Sequence, residues 1–171
     1  IHVQTEKSIQ KGYLPSFHAT EENYESKIQC NPSDPTSFNE TIAFLRNKNI
    51  VRAVGGMETG TYWADAFNHE LGFPGNHPGS SRLRREKFPM QQALGDLSIP
   101  SILTRSRIEM TDFAAQQNSQ YMVLKPNASG GAEHVTFVRR ENADELWRQA
   151  SSILDLQDNY GHIIDNLVVQ P

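Results

Sequence analysis

The chain of 171 residues carries a single cysteine, Cys30. A disulfide framework within the chain is therefore excluded, and a cysteine-based zinc site has too few ligands to draw on. No apolar run approaches the ~20 residues of a membrane-spanning helix. The N-terminus, Ile1-His2-Val3-Gln4-Thr5, lacks a basic stretch followed by an apolar one, so no secretory signal is read there and the cytosol is the expected address. It also lacks an initiator Met, which reads as a trimmed chain. The six histidines show neither H-x-H nor H-E-x-x-H spacing, which argues against a histidine metal site. No G-x-S-x-G elbow is present and Cys30 has no partner motif, so covalent hydrolase chemistry finds no support. Positive charge is not in excess either. Sixteen Lys and Arg stand against 20 Asp and Glu, for a net charge of −4 and a pI of about 5.9. That excludes a surface built wholly for nucleic acid. What remains is an ordinary globular balance, 37% hydrophobic and 21% charged, at a length suited to one domain or two small ones.

Residues 1–35 are weakly patterned. Val3 sits in a short extended candidate, and a short helix is expected from Glu21 to Ile28 among loops punctuated by Pro15, Pro32 and Pro35. Ser37 and Glu40 have capping-box spacing and predict a helix start, followed by Phe38, Ile42 and Leu45 at helical intervals. Ile50 to Val54 is a β-branched run and a strand candidate. A glycine turn, 55–60, leads to a helix over about Thr61–Leu71 that stops at Gly72. Helix, strand, glycine turn and helix form the grammar of an α/β layer with a parallel sheet. The breaker-rich loop 73–79 is a candidate domain boundary. A further helix is expected over about 81–97, burying Met90, Ala93, Leu94 and Leu97, with Pro89 either in its first turn or at a kink. Strands are then expected at 102–104, 121–124, 135–138 and 167–169. Helices are expected at 110–117 and after Asn142, which repeats the capping-box logic with Glu145.

Two stretches carry chemical interest. The first is Lys125-Pro126 followed by the loop 127–134, Asn-Ala-Ser-Gly-Gly-Ala-Glu-His. Successive backbone amides without side-chain bulk form an anion nest, and a lysine at the end of the entering strand adds a point charge suited to phosphate. An ordinary β-hairpin with a glycine turn and a surface lysine fits the same residues equally well. The second is Arg82, Arg84, Arg85 and Lys87 at a helix start, where the macrodipole disfavours cations and a nearby anion would relieve them. A solvated basic face partly paired with Glu86 is the plainer reading. Gly55-Gly56 with Gly60 resembles a nucleotide-binding turn but matches neither G-x-G-x-x-G nor a Walker loop; close backbone packing of strand on helix is the favoured reading. Glu58 and Asp65 read as solvated surface carboxylates, and His134 as a chance neighbour of its loop.

Taken in order, these strings resemble the ATP-grasp superfamily, in the carboxylate–amine ligase branch that includes L-amino-acid ligases and carbamoyl-phosphate-synthase-like proteins. The strings are Ala53–Gly60, Ala64-Asp65, Leu71–Asn76, Arg84–Gln91, Val123–Pro126 and Ser129–Gly131. The resemblance implies an α/β fold. Residues 1–81 would be a Rossmann-like pre-ATP-grasp layer, incomplete at its N-terminus. Residues 82–171 would be the first, lid-containing half of an ATP-grasp α+β fold, with about 101–165 as a mobile lid. Lys87 matches the family lysine that reaches the nucleotide phosphates. Lys125 matches the lid lysine that touches phosphate and adenine. Ser129, Gly130, Gly131, Ala132 and His134 match the flap over the β- and γ-phosphates. Gln170 falls where a glutamate usually lines the adenine pocket, and Pro171 beside it is unusual because it has no N–H to donate. The implied cofactors are ATP and Mg2+, with the magnesium ligands and much of the acceptor site expected outside this chain. The implied activity is ATP-dependent amide or peptide bond formation through an acyl phosphate, by a parent of which this front half would be inactive alone. The implied partners are a small carboxylate and an amine, with neither nucleic acid nor membrane, and a homodimer as an open assembly. Two other classes stay open: a degenerate ATP-grasp binding or regulatory module, and a different α/β enzyme such as a Rossmann-type oxidoreductase using the Gly55 turn.

Overall fold

The computed structural model describes residues 1–5, 24–56, 58–158 and 161–171, and among these described residues there are fifteen short elements, none longer than twelve residues. They divide into two compact units, Ile1–Ser81 and Arg82–Pro171. Each is described by itself.

In the first unit, β1 (His2–Gln4) and β2 (Lys27–Gln29) pair in parallel, with Val3 opposite Ile28. The short helix expected over Glu21–Ile28 is thus not formed at its C-terminal end, where residues 27–29 are strand; residues 21–23 lie outside the described residues. Helix α1 (Pro35–Arg46) starts earlier than the Ser37/Glu40 spacing implies. Its cap is Asp34, whose carboxylate accepts from the Thr36 N–H at 3.1 Å, with Pro35 in the first turn where its missing N–H does no harm. The Ser37 hydroxyl instead accepts from the Asn31 N–H at 2.9 Å. Helix α2 (Thr61–Leu71) ends as its sequence predicts. Gly72 adopts φ 75°, and the Phe73 N–H closes back on the Asn68 carbonyl at 2.8 Å. Cys30, Ile42, Leu45 and Phe67 form the buried centre of this unit, with the Phe38 and Phe67 rings stacked at 5.2 Å.

No strand forms at Ile50–Val54. Val51 and Val54 are about four-fifths exposed, so β-branched content here does not reflect a sheet face. The segment is held instead by a side chain. The Asn68 amide accepts from the Ala53 N–H at 2.8 Å and donates to the Ala53 carbonyl at 2.9 Å, an imitation of a neighbouring strand. The glycine turn behaves as close packing predicts: a Cβ on Gly55 would lie 3.1 Å from the Gly60 carbonyl carbon.

The second unit begins inside α3 (Ser81–Arg85), which breaks at Glu86 before α4 (Lys87–Leu94). The continuous helix expected over 81–97 is therefore two helices and a closing turn. Pro89 lies in the first turn of α4, where proline is tolerated. Met90, Ala93, Leu94 and Leu97 are all exposed rather than buried, because this stretch has apolar residues without a partner surface in the unit. A four-stranded antiparallel sheet follows, in spatial order β3 (Ile102–Thr104), β6 (Leu167–Gln170), β4 (Tyr121–Pro126), β5 (Thr136–Arg139). The parallel sheet suggested by the sequence is confined to the β1–β2 pair. Helices α5 (Arg107–Ala115) and α6 (Ala143–Ile153) pack together on the sheet. Met110, Ala114, Leu146, Ala150 and Ile153 meet Met122, Leu124, Val138, Leu167 and Val169 in the core. Helix α5 begins earlier than expected because Ser106, not the apolar pattern, sets its start, accepting from the Glu109 N–H. The Asn142 side chain caps α6 by accepting from the Glu145 N–H at 3.0 Å, as its spacing predicts.

Among the described residues no helix is long and apolar enough to cross a membrane.

Candidate functional site

Strand alternation decides which residues of the sheet face away from the core. On β4, Met122 and Leu124 enter the core, so Val123 and Lys125 point to the opposite face. On β6, Leu167 and Val169 enter the core, so Val168 and Gln170 share the face of Lys125. The register pairs Val123 with Gln170 and Lys125 with Val168, so Lys125 and Gln170 are diagonal neighbours on adjacent strands. Burial holds the Lys125 ammonium below the ordinary lysine value, because desolvation disfavours the charged form. Gln170 is almost fully buried and its amide nitrogen has no hydrogen-bond partner. An orphaned donor of this kind is uncommon and leaves capacity for an acceptor.

The loop that leaves β4 docks at its root on the start of α4. The Asn127 carbonyl accepts from the Lys87 N–H at 2.9 Å. The Asn127 side chain accepts from the Phe88 N–H at 2.9 Å and donates to a Glu86 carboxylate oxygen at 3.0 Å. Glu86 occupies the cap position of α4 but makes no cap bond of its own. Asn127 therefore supplies, from about forty residues away in sequence, the capping that the helix lacks locally. Glu86 is held from its other side by Arg82, which donates to both carboxylate oxygens at 2.8 Å.

The cations of the basic stretch close over the same loop. The Lys87 ammonium lies 3.1 Å from the Ser129 carbonyl oxygen and 3.4 Å from its hydroxyl. Arg85 donates to the Ala128 carbonyl at 2.9 Å and to the Ser129 carbonyl at 3.4 Å. Beyond the buried Ser129 and Gly130 the loop turns outward. Gly131 and Ala132 are exposed, and Gly131, Ala132 and His134 all take left-handed conformations at φ 64°, 59° and 53°. For Ala and His that conformation is strained by roughly 1–2 kcal/mol each. The imidazole of His134 lies 3.4 Å from the Glu133 carboxylate.

Of the residues singled out from sequence, Lys87 and Ser129 thus meet directly, and Lys125 and Gln170 share one sheet face. Asn127, two residues beyond Lys125, ties the second pair to the first. Gly130 follows Ser129 in the buried root, while Gly131, Ala132 and His134 form the tip. Arg85 is marked in the sequence only as one of four cations in the basic stretch, and Asn127 only as the first residue of the loop; neither is assigned a role there. Their roles depend on a hairpin and a helix start meeting in space, which no local spacing encodes.

In the first unit a hollow of about 440 Å³ is lined by residues including Arg52, Gly55, Thr61, Asp65, Asn68 and Asn76. Asp65 is buried, not a solvated surface carboxylate as the sequence suggests. It accepts from the Ser81 hydroxyl at 2.6 Å and from the Asn76 amide at 3.4 Å. These polar groups satisfy one another, so the hollow carries a structural network.

No protein-family model matches the chain, and no curated protein matches it. Among solved structures it is similar to an L-amino acid ligase from Bacillus licheniformis, with a TM-score of 0.58 at 12% identity over 85% of this chain and 32% of that one. It is also similar to a D-cycloserine synthetase, with a TM-score of 0.42 at 15% identity over 92% of this chain and 46% of that one. The chain spans about a third of the first structure's length and under half of the second's. At 12% identity the likeness to the L-amino acid ligase is one of fold.

Proposed function

We propose that residues 82–171 are the nucleotide-binding portion of an ATP-dependent carboxylate–amine ligase. The observation that carries this reading is the docking of the Lys87 ammonium on the root of the glycine loop at Ser129. Phosphoryl transfer asks little covalent chemistry of a protein and much electrostatic positioning. Lys87 and the loop amides would hold the phosphates, and Lys125 would lie between phosphate and base. A partly desolvated ammonium on a sheet face, beside an amide nitrogen without a partner, suits a planar, acceptor-rich group such as a purine. In the intact ligase the carboxylate substrate would attack the γ-phosphorus to give an acyl phosphate, and the amine would displace phosphate to form the amide. Closure of the loop tip would keep water from that acyl phosphate. Magnesium finds no ligand set among the described residues, which contain no group of three His, Cys, Asp or Glu able to hold a metal ion.

The test is equilibrium binding of ATP to the full-length protein, with NAD as the comparison ligand, and phosphate release in the presence of carboxylates and amines. ATP is expected to bind in preference to NAD, and Lys125→Ala to weaken it at least tenfold. Unchanged affinity in that variant would count against the site. ATP binding without carboxylate-dependent phosphate release would favour a binding module instead.

A further inference from the structure

Two cations reach the loop root, and their geometry differs. Lys87 reaches the Ser129 carbonyl and hydroxyl through one flexible stem. Arg85 spans two successive carbonyls, those of Ala128 and Ser129, with a planar fork. The Ser129 carbonyl is shared by both. A guanidinium on consecutive carbonyls fixes the orientation of both peptide planes, and the second of them carries the acceptor on which Lys87 rests.

We propose that Arg85 is a positioning residue: it clamps the loop root by the Ala128 and Ser129 carbonyls and so holds the Lys87 ammonium in place. Phosphate arrival would then offer the Lys87 ammonium an anionic oxygen, a stronger partner than the Ser129 carbonyl, while Arg85 keeps the root fixed. The Asn127 cap on α4 fixes the base of the same root, so the movable part is the tip, 131–134. The division of labour follows from the contacts. Arg85 orders the loop whether or not nucleotide is present; Lys87 acts on the ligand. Only the phosphate half of this inference rests on the nucleotide reading above.

The experiment is amide hydrogen exchange over 127–131 in the full-length protein, without and with ATP. In the free protein, Arg85→Met is expected to speed exchange at least tenfold. Lys87→Met should change it less than threefold, because Arg85 still holds the root. Arg85→Lys, which keeps the charge but loses the fork, should fall between. ATP affinity should drop at least tenfold in both Met variants. Exchange within twofold of wild type in Arg85→Met, or equal acceleration in both Met variants, overturns the positioning role. Should Arg85→Met fail to fold, the same comparison is made with Arg85→Lys, where wild-type exchange is the contrary result. If the wild-type protein binds no ATP while Arg85→Met still frees the root, the clamp stands and the nucleotide reading falls.

Discussion

Replacing Asn127 by alanine isolates the contact between hairpin and helix. Two side-chain bonds disappear. The first, from the Phe88 N–H at 2.9 Å, caps α4; loss of such a cap costs about 1 kcal/mol, within a range of about 0.5–2. The second, to the Glu86 carboxylate at 3.0 Å, is charge-assisted and worth about 1.5–3 kcal/mol. The lower end applies here, since Arg82 continues to hold both oxygens of Glu86. The sum is about 2–3 kcal/mol, which for a unit of this size lowers its melting temperature by roughly 8–24 °C. Trp63 and Trp147 are the chain's two tryptophans, one in each unit. A urea titration in a Trp63→Phe background therefore reads the 82–171 unit alone. A loss below about 0.5 kcal/mol would refute the inference that Asn127 caps α4. Asn127→Asp gives a second reading. It keeps the acceptor for the Phe88 N–H but sets a carboxylate against that of Glu86, which raises the folded pKa of one of them. The folded state then binds more protons than the unfolded state above the ordinary carboxylate range. Stability of this variant should fall as pH rises through that window and recover on acidification.

Lys125→Met should weaken ATP binding at least tenfold yet stabilise the 82–171 unit at pH 7. The folded lysine titrates below its unfolded value near 10.4, so between the two values the unfolded chain holds more protons, and wild-type stability climbs with pH; the methionine variant lacks that climb, and its advantage in urea midpoint should shrink from pH 7 to pH 10. Asn68→Ala leaves the Ala53 N–H and carbonyl without their partner and should cost the first unit about 2–4 kcal/mol, read from Trp63 fluorescence in urea. Leu146→Ala empties a fully buried position where α6 meets the sheet and should cost about 2–5 kcal/mol, read from Trp147.

Where local chemistry and the fold agree, the sequence was easy to read. Helix α6 carries its own cap in Asn142 and its own apolar face in Leu146, Ala150 and Ile153, and Gly72 stops α2 by a conformation suited to glycine. Reading failed where a long-range partner replaced a local one. Ile50–Val54 looks like a strand because its residues suit one, yet its pairing partner is the side chain of Asn68. Ser37 has the spacing of a cap but turns back to Asn31, which leaves the start of α1 to Asp34. At the candidate site, Lys87, Lys125 and the glycine loop stood out by residue type and order. The roles of Asn127 and Arg85 did not, because an asparagine after a strand and an arginine in a basic run are ordinary until a helix start and a hairpin are seen in contact.

The burial of Cys30 has a practical sequel. The chain's lone thiol is fully enclosed in the first unit, 4.0 Å from the Ser37 carbonyl. Maleimide reagents added to the native protein therefore meet no competing surface sulfur. A cysteine introduced at exposed Ala132 would accept a fluorophore selectively, and the emission of that dye would register each excursion of the loop tip in real time.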